Sequence, residues 1–494
     1  MDSRHMGLHH PAGKWLGRKN VAGIAVLSIS LAAVISTIGC GNQYRPVVSA
    51  IGPVGPAGQP TKYAVAVSAP SPNSPGLLTT VDFAGDTVLS TPQILSNPTY
   101  FSLNPNGTQG YTINASGSLN TFPISPYLIT SQVVQTTLPV NSAPVSITSL
   151  TPASALSTIF IPETETNSIA AINAGTAALY DNVGIHGGTN PVYVVGAAGT
   201  PRVYAISQNS PGSNGQVDSL ETVSTTSLSD SAQIPVGIKP VYGVMTTDDR
   251  RAFILNQGSG TVSVINVPSN ALDTLPPGVE PANTPLGTIP IPQIALAGGG
   301  TAAPNPVWAD LVPINSELVV LNQGDGVHPG TLSIINIPLC NPNAVANPNC
   351  SSTNPVDAAG FGTVLLTATV GINPTMVSVL QDGSAAYVIN QLDGTGTCTS
   401  GEGSVSAVNL RTGQISATIC GVSGNNAAAD VVTNPNLIFG HPNSVSATIG
   451  NPTGKVYITS ADNRYMSVIY TDTNTVVTHI PIQGLGLRVL VTAP

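Results

Sequence analysis

One short pattern recurs along this chain, and no other feature limits the fold so tightly. The stretch LNQGSGTVSVIN runs from Leu255 to Asn266. It returns as LNQGDGVHPGTLSIIN, Leu321 to Asn336, and again as INQLDGTGTCTSGEGSVSAVN, Ile389 to Asn409. Each copy is an apolar alternating run, a turn rich in Gly and Asn, and a second alternating run. That is the signature of two antiparallel strands joined by a turn. Self-similarity of this kind has to be settled before domains are counted from length.

Eight strand starts can be aligned: KYAVAVS, QGYTINA, STIFIPE, PRVYAIS, RAFILNQ, ELVVLNQ, AAYVINQ and KVYITSA. Pro98, Pro144, Pro191, Pro240, Pro306, Pro374 and Pro442 each open a further alternating run; the last such run, GLGLRVLVTAP, lacks the Pro and ends the chain. In the unit near Arg251 the strands AFILN, TVSVINV, LGTIPI and PVWADLV follow one another. A small sheet of this kind has two apolar faces and cannot bury both alone; radial stacking covers both, which is the β-propeller solution. The expected fold is all-β. It is a single β-propeller of four-stranded antiparallel blades over residues 62–494, with eight blades, or seven if one early unit is degenerate. Pairing of Leu487–Thr492 with the YAVAVS strand would complete the first blade and leave no free edge. A β-helix or two tandem sandwiches are the alternatives.

Composition agrees with a repeat of short strands. Only 7% of residues are charged, against about 25% in ordinary domains, while 41% are hydrophobic and 50 Gly and 43 Pro punctuate the runs. The net charge is −9, and four of the fourteen basic residues, Arg4, Lys14, Arg18 and Lys19, precede residue 20. No basic cluster is left to neutralise phosphates, which argues against a nucleic-acid partner.

Those four cations precede an uncharged run, Val21 to Ile38. A transmembrane anchor is one reading, because such a run just spans a bilayer. A secretory signal over 1–39 is the other. Thr37-Ile38-Gly39-Cys40 resembles the lipobox of bacterial lipoproteins, although Thr37 stands where Leu is usual. The resemblance implies that Cys40 is lipidated and becomes the mature N-terminus, and Gly41 after it permits sorting to the outer membrane. Residues 40–61, with GPVGPAGQP, read as a tether. The expected location is the cell envelope, lipid-anchored. The remaining cysteines are even in number: Cys340 and Cys350 flank a Pro/Asn-rich loop, and Cys398 and Cys420 bracket one repeat. Two disulfides in an oxidising compartment fit this. After residue 40 no Cys-x-x-Cys or paired-His spacing suggests a metal, and no nucleophile elbow, Walker loop or dinucleotide fingerprint suggests a cofactor.

The segments YVIN…GSVSAVNLRTGQISATI and VYITSADNRYMSVIYTDTNTVVTHIPI resemble the YVTN-type β-propeller repeat of secreted bacterial and archaeal proteins. In a propeller, the turn between the second and third strands and the loop leading into the innermost strand share one face. The insertions at 327–329 and 392–403 lengthen the former, and those at 292–305 and 420–441 lengthen the latter. One face is therefore elaborated, the usual place for binding. Candidates on or near it are Asn256, Asn322 and Asn390 of the recurring turns, His441 in FGHPN, and Trp308 and Asp310 on an innermost strand that could line the channel. Turn geometry competes as the role of the asparagines, and core packing as that of Trp308. Glu163 and Glu165 are spaced to lie on one side of an extended segment.

Two functions follow. One is a membrane-anchored envelope propeller that binds a protein or glycan partner. The other is a propeller enzyme, lactonase-like or oxidoreductase-like, with its site at the channel mouth. The four histidines after the leader, His186, His328, His441 and His479, lie in separate units, and this scatter favours binding.

Overall fold

A computed structural model describes residues 61–492 apart from 72, 115, 153–156, 225–226, 274–286, 339–359 and 425–426. The leader, Cys40, the tether up to residue 60, and the pair Cys340 and Cys350 lie outside the described residues. No helix among the described residues is long and apolar enough to cross a membrane.

Blade 5 shows how the repeat folds. Its inner strand, Pro240–Met245, pairs with Arg251–Asn256, which pairs with Thr261–Asn266, which in turn carries the short outer strands Ala271–Leu272 and Thr288–Pro290. All these pairings are antiparallel, and the recurring NQGSG turn joins the second strand to the third. The same order repeats around the molecule. The inner strands are Pro98–Leu103, Thr148–Leu150, Pro191–Val195, Pro240–Met245, Pro306–Val312, the C-terminal half of Val364–Val379, Pro442–Thr448 and Leu485–Val491. Each lies against the next, and Leu485–Val491 lies against Pro98–Leu103, so eight blades close a ring. Leu485–Val491 is antiparallel to Tyr63–Ala69, with Ala64 opposite Val491 and Ala69 opposite Leu485. The final strand thus completes the first blade, and the count is eight rather than seven. The strand Val364–Val379 serves two blades: its first half is the outer strand of blade 6 and its second half the inner strand of blade 7.

The strands are buried on both sides because successive residues face different neighbours, as a period of two requires. In Arg251–Asn256, Ala252 and Ile254 pack against Tyr204, Ile206 and Val217 of blade 4. Phe253 and Leu255 pack against Leu318, Val320 and Ile335 of blade 6. At the seam, Ala64 and Ala66 meet Tyr457, Met466 and Val468 of blade 8, while Val65 and Val67 meet Phe101 and Phe122 of blade 2. Each fully buried Val, Leu, Ile or Phe contributes about 1.5–3 kcal/mol.

One polar residue interrupts this apolar pattern at the end of every second strand: Ser68, Asn114, Glu163, Ser207, Asn256, Asn322, Asn390 and Ser460, all buried. Asn256 Nδ2 donates to Ser263 Oγ at 2.9 Å and Thr261 Oγ1 at 3.1 Å, and its Oδ1 accepts from the Gly237 amide. Asn322 donates to Ser333 and Thr331 in the same way, and Asn390 to Ser406 and Ser404 while accepting from the Gly371 amide. The side chain locks the third strand, and in blades 5 and 7 also the strand that arrives from the preceding blade, to the second strand. Asn256, Asn322 and Asn390 are 0% exposed, so they do not present to the face on which the sequence placed them as binding residues. Glu163 occupies the equivalent node, accepting from Ser168 Oγ and Thr166 Oγ1, whereas Glu165 is exposed in the turn. The two glutamates therefore do not form a pair.

Entry into the inner strands is equally regular. Asn97, Ala143, Asn190, Lys239, Asn305 and Asn373 precede Pro98, Pro144, Pro191, Pro240, Pro306 and Pro374 and hold φ between 47° and 57°. This left-handed conformation is uncommon outside Gly and several-fold enriched for Asn. It turns the carbonyls of Asn190, Lys239 and Asn305 toward the amides of Gln208, Gln257 and Gln323, which follow the polar nodes.

Two outcomes test this account. Asn390→Ala leaves the Gly371 amide and two hydroxyls short of a partner and should lower stability by about 1–3 kcal/mol, read as a lower urea midpoint with unchanged slope. Truncation after Gln483 removes the closing strand and should abolish the single cooperative thermal transition; a truncated chain that melts like the parent would show that closure is not needed.

Candidate functional site at the channel mouth

A column of residues recurs around the channel: Tyr100, Ser146, Tyr193, Tyr242, Trp308, Met376 and Ser444, each two positions after its Pro, and Arg488 of the closing strand, which takes the same ladder position opposite Val67. Alternation aims this position inward, and the contacts bear that out. Tyr193 and Tyr242 lie with ring centroids 4.6 Å apart, and Tyr242 stacks on Trp308 at 4.2 Å. The Arg488 guanidinium sits 4.3 Å from the Tyr100 ring centroid and 5.4 Å from that of Trp308. Arg488 belongs to blade 1 and Trp308 to blade 6, which are not neighbours, so the two meet across the channel. A cation over an aromatic face is worth about 0.5–2 kcal/mol, more when desolvated.

A cavity of ≈ 190 Å³ opens here, lined by Thr99, Tyr100, Trp308, Thr375, Met376, Asn443, Ser444, Leu487 and Arg488. These positions lie at the starts of the inner strands, so the cavity is at the end of the channel that carries the long loops. Trp308 is half-buried in the channel wall rather than enclosed in core.

An inner strand has a ladder partner on one side only, and its channel-side amides and carbonyls need others. Side chains of the same strands supply several. Ser146 Oγ and Thr148 Oγ1 donate to the carbonyls of Val192 and Val194. Ser444 Oγ and Ser446 Oγ accept from the amides of Val489 and Val491, and Ser378 Oγ from that of Ala447. Asp310 does the same with a carboxylate: Oδ2 accepts from the Val379 amide at 3.0 Å and Oδ1 from the Leu311 amide at 2.9 Å. Burial pushes its carboxyl up to about 6, against the pull of those two amides. Asp310 is thus a strut between blades 6 and 7, not a free ligand-binding carboxylate.

The face around the mouth is braced. Cys398 and Cys420 form a disulfide with Cα atoms 5.4 Å apart. Asp393, nearly buried, accepts from the amides of Thr395, Thr397 and Cys398 and shapes the same loop. An amide ladder crosses between blades: Gln257 Nε2 donates to Gln323 Oε1, Gln323 Nε2 to Asn373 Oδ1, and Gln391 Nε2 to the Pro442 carbonyl. His441 joins two turns. Its Nδ1 lies 2.7 Å from Asp462 Oδ2 and its Nε2 2.9 Å from the Gly401 carbonyl. Both partners are acceptors, so the arrangement needs both ring nitrogens to donate, which is the imidazolium form.

The structure therefore brings Trp308 to the mouth cavity, sets Asp310 deeper on the same strand, and places His441 on the surrounding face as a clamp. The other histidines stay apart: His186 beside Asp230, His328 beside Asp325, and His479 against Ser467. No group of three or more His, Cys, Asp or Glu able to hold a metal occurs among the described residues. Sequence reading missed Tyr100, Tyr193, Tyr242, Thr375 and Arg488. The signal existed, since the first four are one or two residues beyond a Pro that opens a run and Arg488 takes the matching place in the final run, but it is visible only when the repeats are read as columns.

A scan of family models and a search of curated proteins match nothing to this chain. Among solved structures it is similar to a dihydro-heme d1 dehydrogenase, NirN, in complex with DHE, at 10% identity and TM-score 0.56, covering 89% of this chain and 77% of that one. It is similar to apo AztD from Citrobacter koseri at 11% identity and TM-score 0.51, covering 87% and 97%. The periplasmic gluconolactonase PpgL of Pseudomonas aeruginosa aligns at 18% identity and TM-score 0.45, covering 72% and 95%. The first two likenesses show a shared β-propeller fold.

His441 gives this face a pH dependence. Burial pulls its pKa down, but the hydrogen bonds to Asp462 and Gly401 and the charges of Asp462 and Glu402 outweigh that, and the net shift is upward from 6.5. A histidine raised in the folded state stabilises fully below its unfolded value and loses that contribution as pH rises through the folded one. The protection factors of amides in the turns at Gly401 and Asp462, which correct for the intrinsic rise of exchange with pH, should therefore fall as pH climbs above 6.5. In His441→Gln this pH dependence should disappear.

Proposed function

We propose that this chain is an exported, membrane-anchored envelope β-propeller of the YVTN-repeat kind, and that it binds a glycan or protein partner at the mouth of its central channel. The observation that carries the reading is the mouth cavity, where an arginine and aromatic rings converge on the face bearing the long loops. Arg, Trp and Tyr are the residues that dominate binding energy at interfaces. The lining contains no His, Cys, Lys, Asp or Glu. Ser444, its one serine, already uses its hydroxyl on the Val489 backbone. A nucleophile with a base in reach, which hydrolysis of a lactone would call for, is thus not among the lining residues. Anchoring rests on the cationic leader and Cys40, and retention at the membrane through acylation of Cys40 belongs to the same proposal.

The test uses the full chain in envelope membranes with a photo-crosslinking residue at Thr99, on the mouth, or at Tyr127, on the opposite face. Adducts with one glycan or protein component at Thr99 and not at Tyr127 are expected. Equal labelling at both, or acid release from added lactones that Arg488→Gln abolishes, would overturn the binding reading. Labelled palmitate should appear on the parent and not on Cys40→Ser.

A further inference from the structure

Arg488 is an uncommon kind of cation. It lies within the channel, its Nε is buried without a hydrogen-bond partner, and no carboxylate pairs with it among the described residues. The buried cations differ: Arg251 holds Asp273 at 2.7 Å and Lys455 holds Asp86 at 2.7 Å, whereas Arg488 is partly buried. A guanidinium stays charged in any such setting, and a buried charge without an anion is costly. The rings of Tyr100 and Trp308 and the Tyr100 hydroxyl offset part of that cost, but none of them is an anion. Thr375, on the same cavity wall, has a buried hydroxyl that also lacks a partner. Two donors of the cavity wall, Arg488 Nε and the Thr375 hydroxyl, thus have no acceptor within hydrogen-bond distance.

Size and charge narrow the occupant. The cavity, ≈ 190 Å³, is smaller than the roughly 300–1,000 Å³ of sites for drug-sized ligands, so the occupant, or the part of it that enters, is about one ring with a head group. Arg488 is the single cation of the lining. One positive charge neutralises a monoanion; a phosphate dianion would carry a second charge into a low-dielectric channel where Asp310 stands deeper on the Trp308 strand. The planar fork of arginine matches a carboxylate through two parallel hydrogen bonds, and the flanking rings suit a flat apolar body.

We propose that the mouth cavity binds a small aromatic or similarly flat monocarboxylate, its carboxylate on the Arg488 guanidinium and the Thr375 hydroxyl, its body against Tyr100 and Trp308. The proposal rests on the reading of the mouth as a binding site and names the chemistry that site accepts. In that reading the monocarboxylate is either a free molecule or an acidic group carried by the larger partner.

The chain itself supplies a reporter. Of its two tryptophans, Trp15 lies in the leader and Trp308 in the cavity wall. The full chain carrying Trp15→Phe is titrated with benzoate, with its neutral isostere benzamide, and with inorganic phosphate, following Trp308 emission. A saturable change with benzoate is expected, with benzamide and phosphate each weaker by about tenfold or more. Arg488→Gln should remove benzoate binding while circular dichroism stays that of the parent. If Arg488→Gln does not fold, Thr375→Val decides: it removes one hydroxyl and should weaken benzoate about threefold to tenfold without altering benzamide. Equal response to benzoate and benzamide, tighter binding of phosphate, or benzoate binding untouched by both substitutions would overturn the proposal. Should benzoate fail while Thr99 still cross-links a partner, the ligand class falls and the mouth stands as a binding site. Failure of both removes the site.

Discussion

The structure depends on apolar contact between neighbouring blades. A blade such as the one built on Arg251–Asn256 buries Ala252 and Ile254 on one side and Phe253 and Leu255 on the other, and neither side is covered by its own sheet. Every blade therefore needs two neighbours, and a linear row would always leave two apolar faces in water. The ring removes both ends. Its weakest place is the seam, where blade 1 is assembled from Tyr63–Ala69 and Leu485–Val491, segments from opposite ends of the described chain. Pairing there satisfies an edge strand and at the same moment brings Val489 and Val491 onto the core shared with blade 8.

Closing a ring of sheets creates a second problem, which the channel chemistry answers. Eight inner strands each turn an unpaired edge toward the axis. Small hydroxyl side chains at Ser146, Thr148, Ser378, Ser444 and Ser446, and the carboxylate of Asp310, bridge to the next strand and take up part of that edge. Where the column carries Tyr, Trp or Arg, the side chain reaches the axis instead, and the cavity forms among those residues. Structural strut and candidate ligand contact are thus alternative uses of equivalent positions on the inner strands.

The eight strand starts, the Pro leading into seven of the eight inner strands, and the closing pair were all legible in the sequence, because alternation and turn chemistry are local and repeat. The disulfide between Cys398 and Cys420 was legible for a related reason: the two residues bracket one unit, so the repeat itself brings them to one face. The asparagines illustrate the opposite case. Asn256, Asn322 and Asn390 look like turn residues facing a ligand, yet the register sets them one step inside the turn, where the third strand's hydroxyls enclose them. A shift of one residue along a strand exchanges exposure for burial, and that shift cannot be read from composition.

The chain alone determined what repeats: short strands of period two, turns between them, too few charges for a solvated two-faced sheet, and therefore stacking into a propeller. It did not determine which residues share the axis. Arg488 and Trp308 are separated by most of the second half of the chain and sit in blades that are not adjacent in the ring, so no local pattern couples them. Only closure of the ring, which aims the same position of every inner strand at one line, makes neighbours of Tyr100, Trp308 and Arg488.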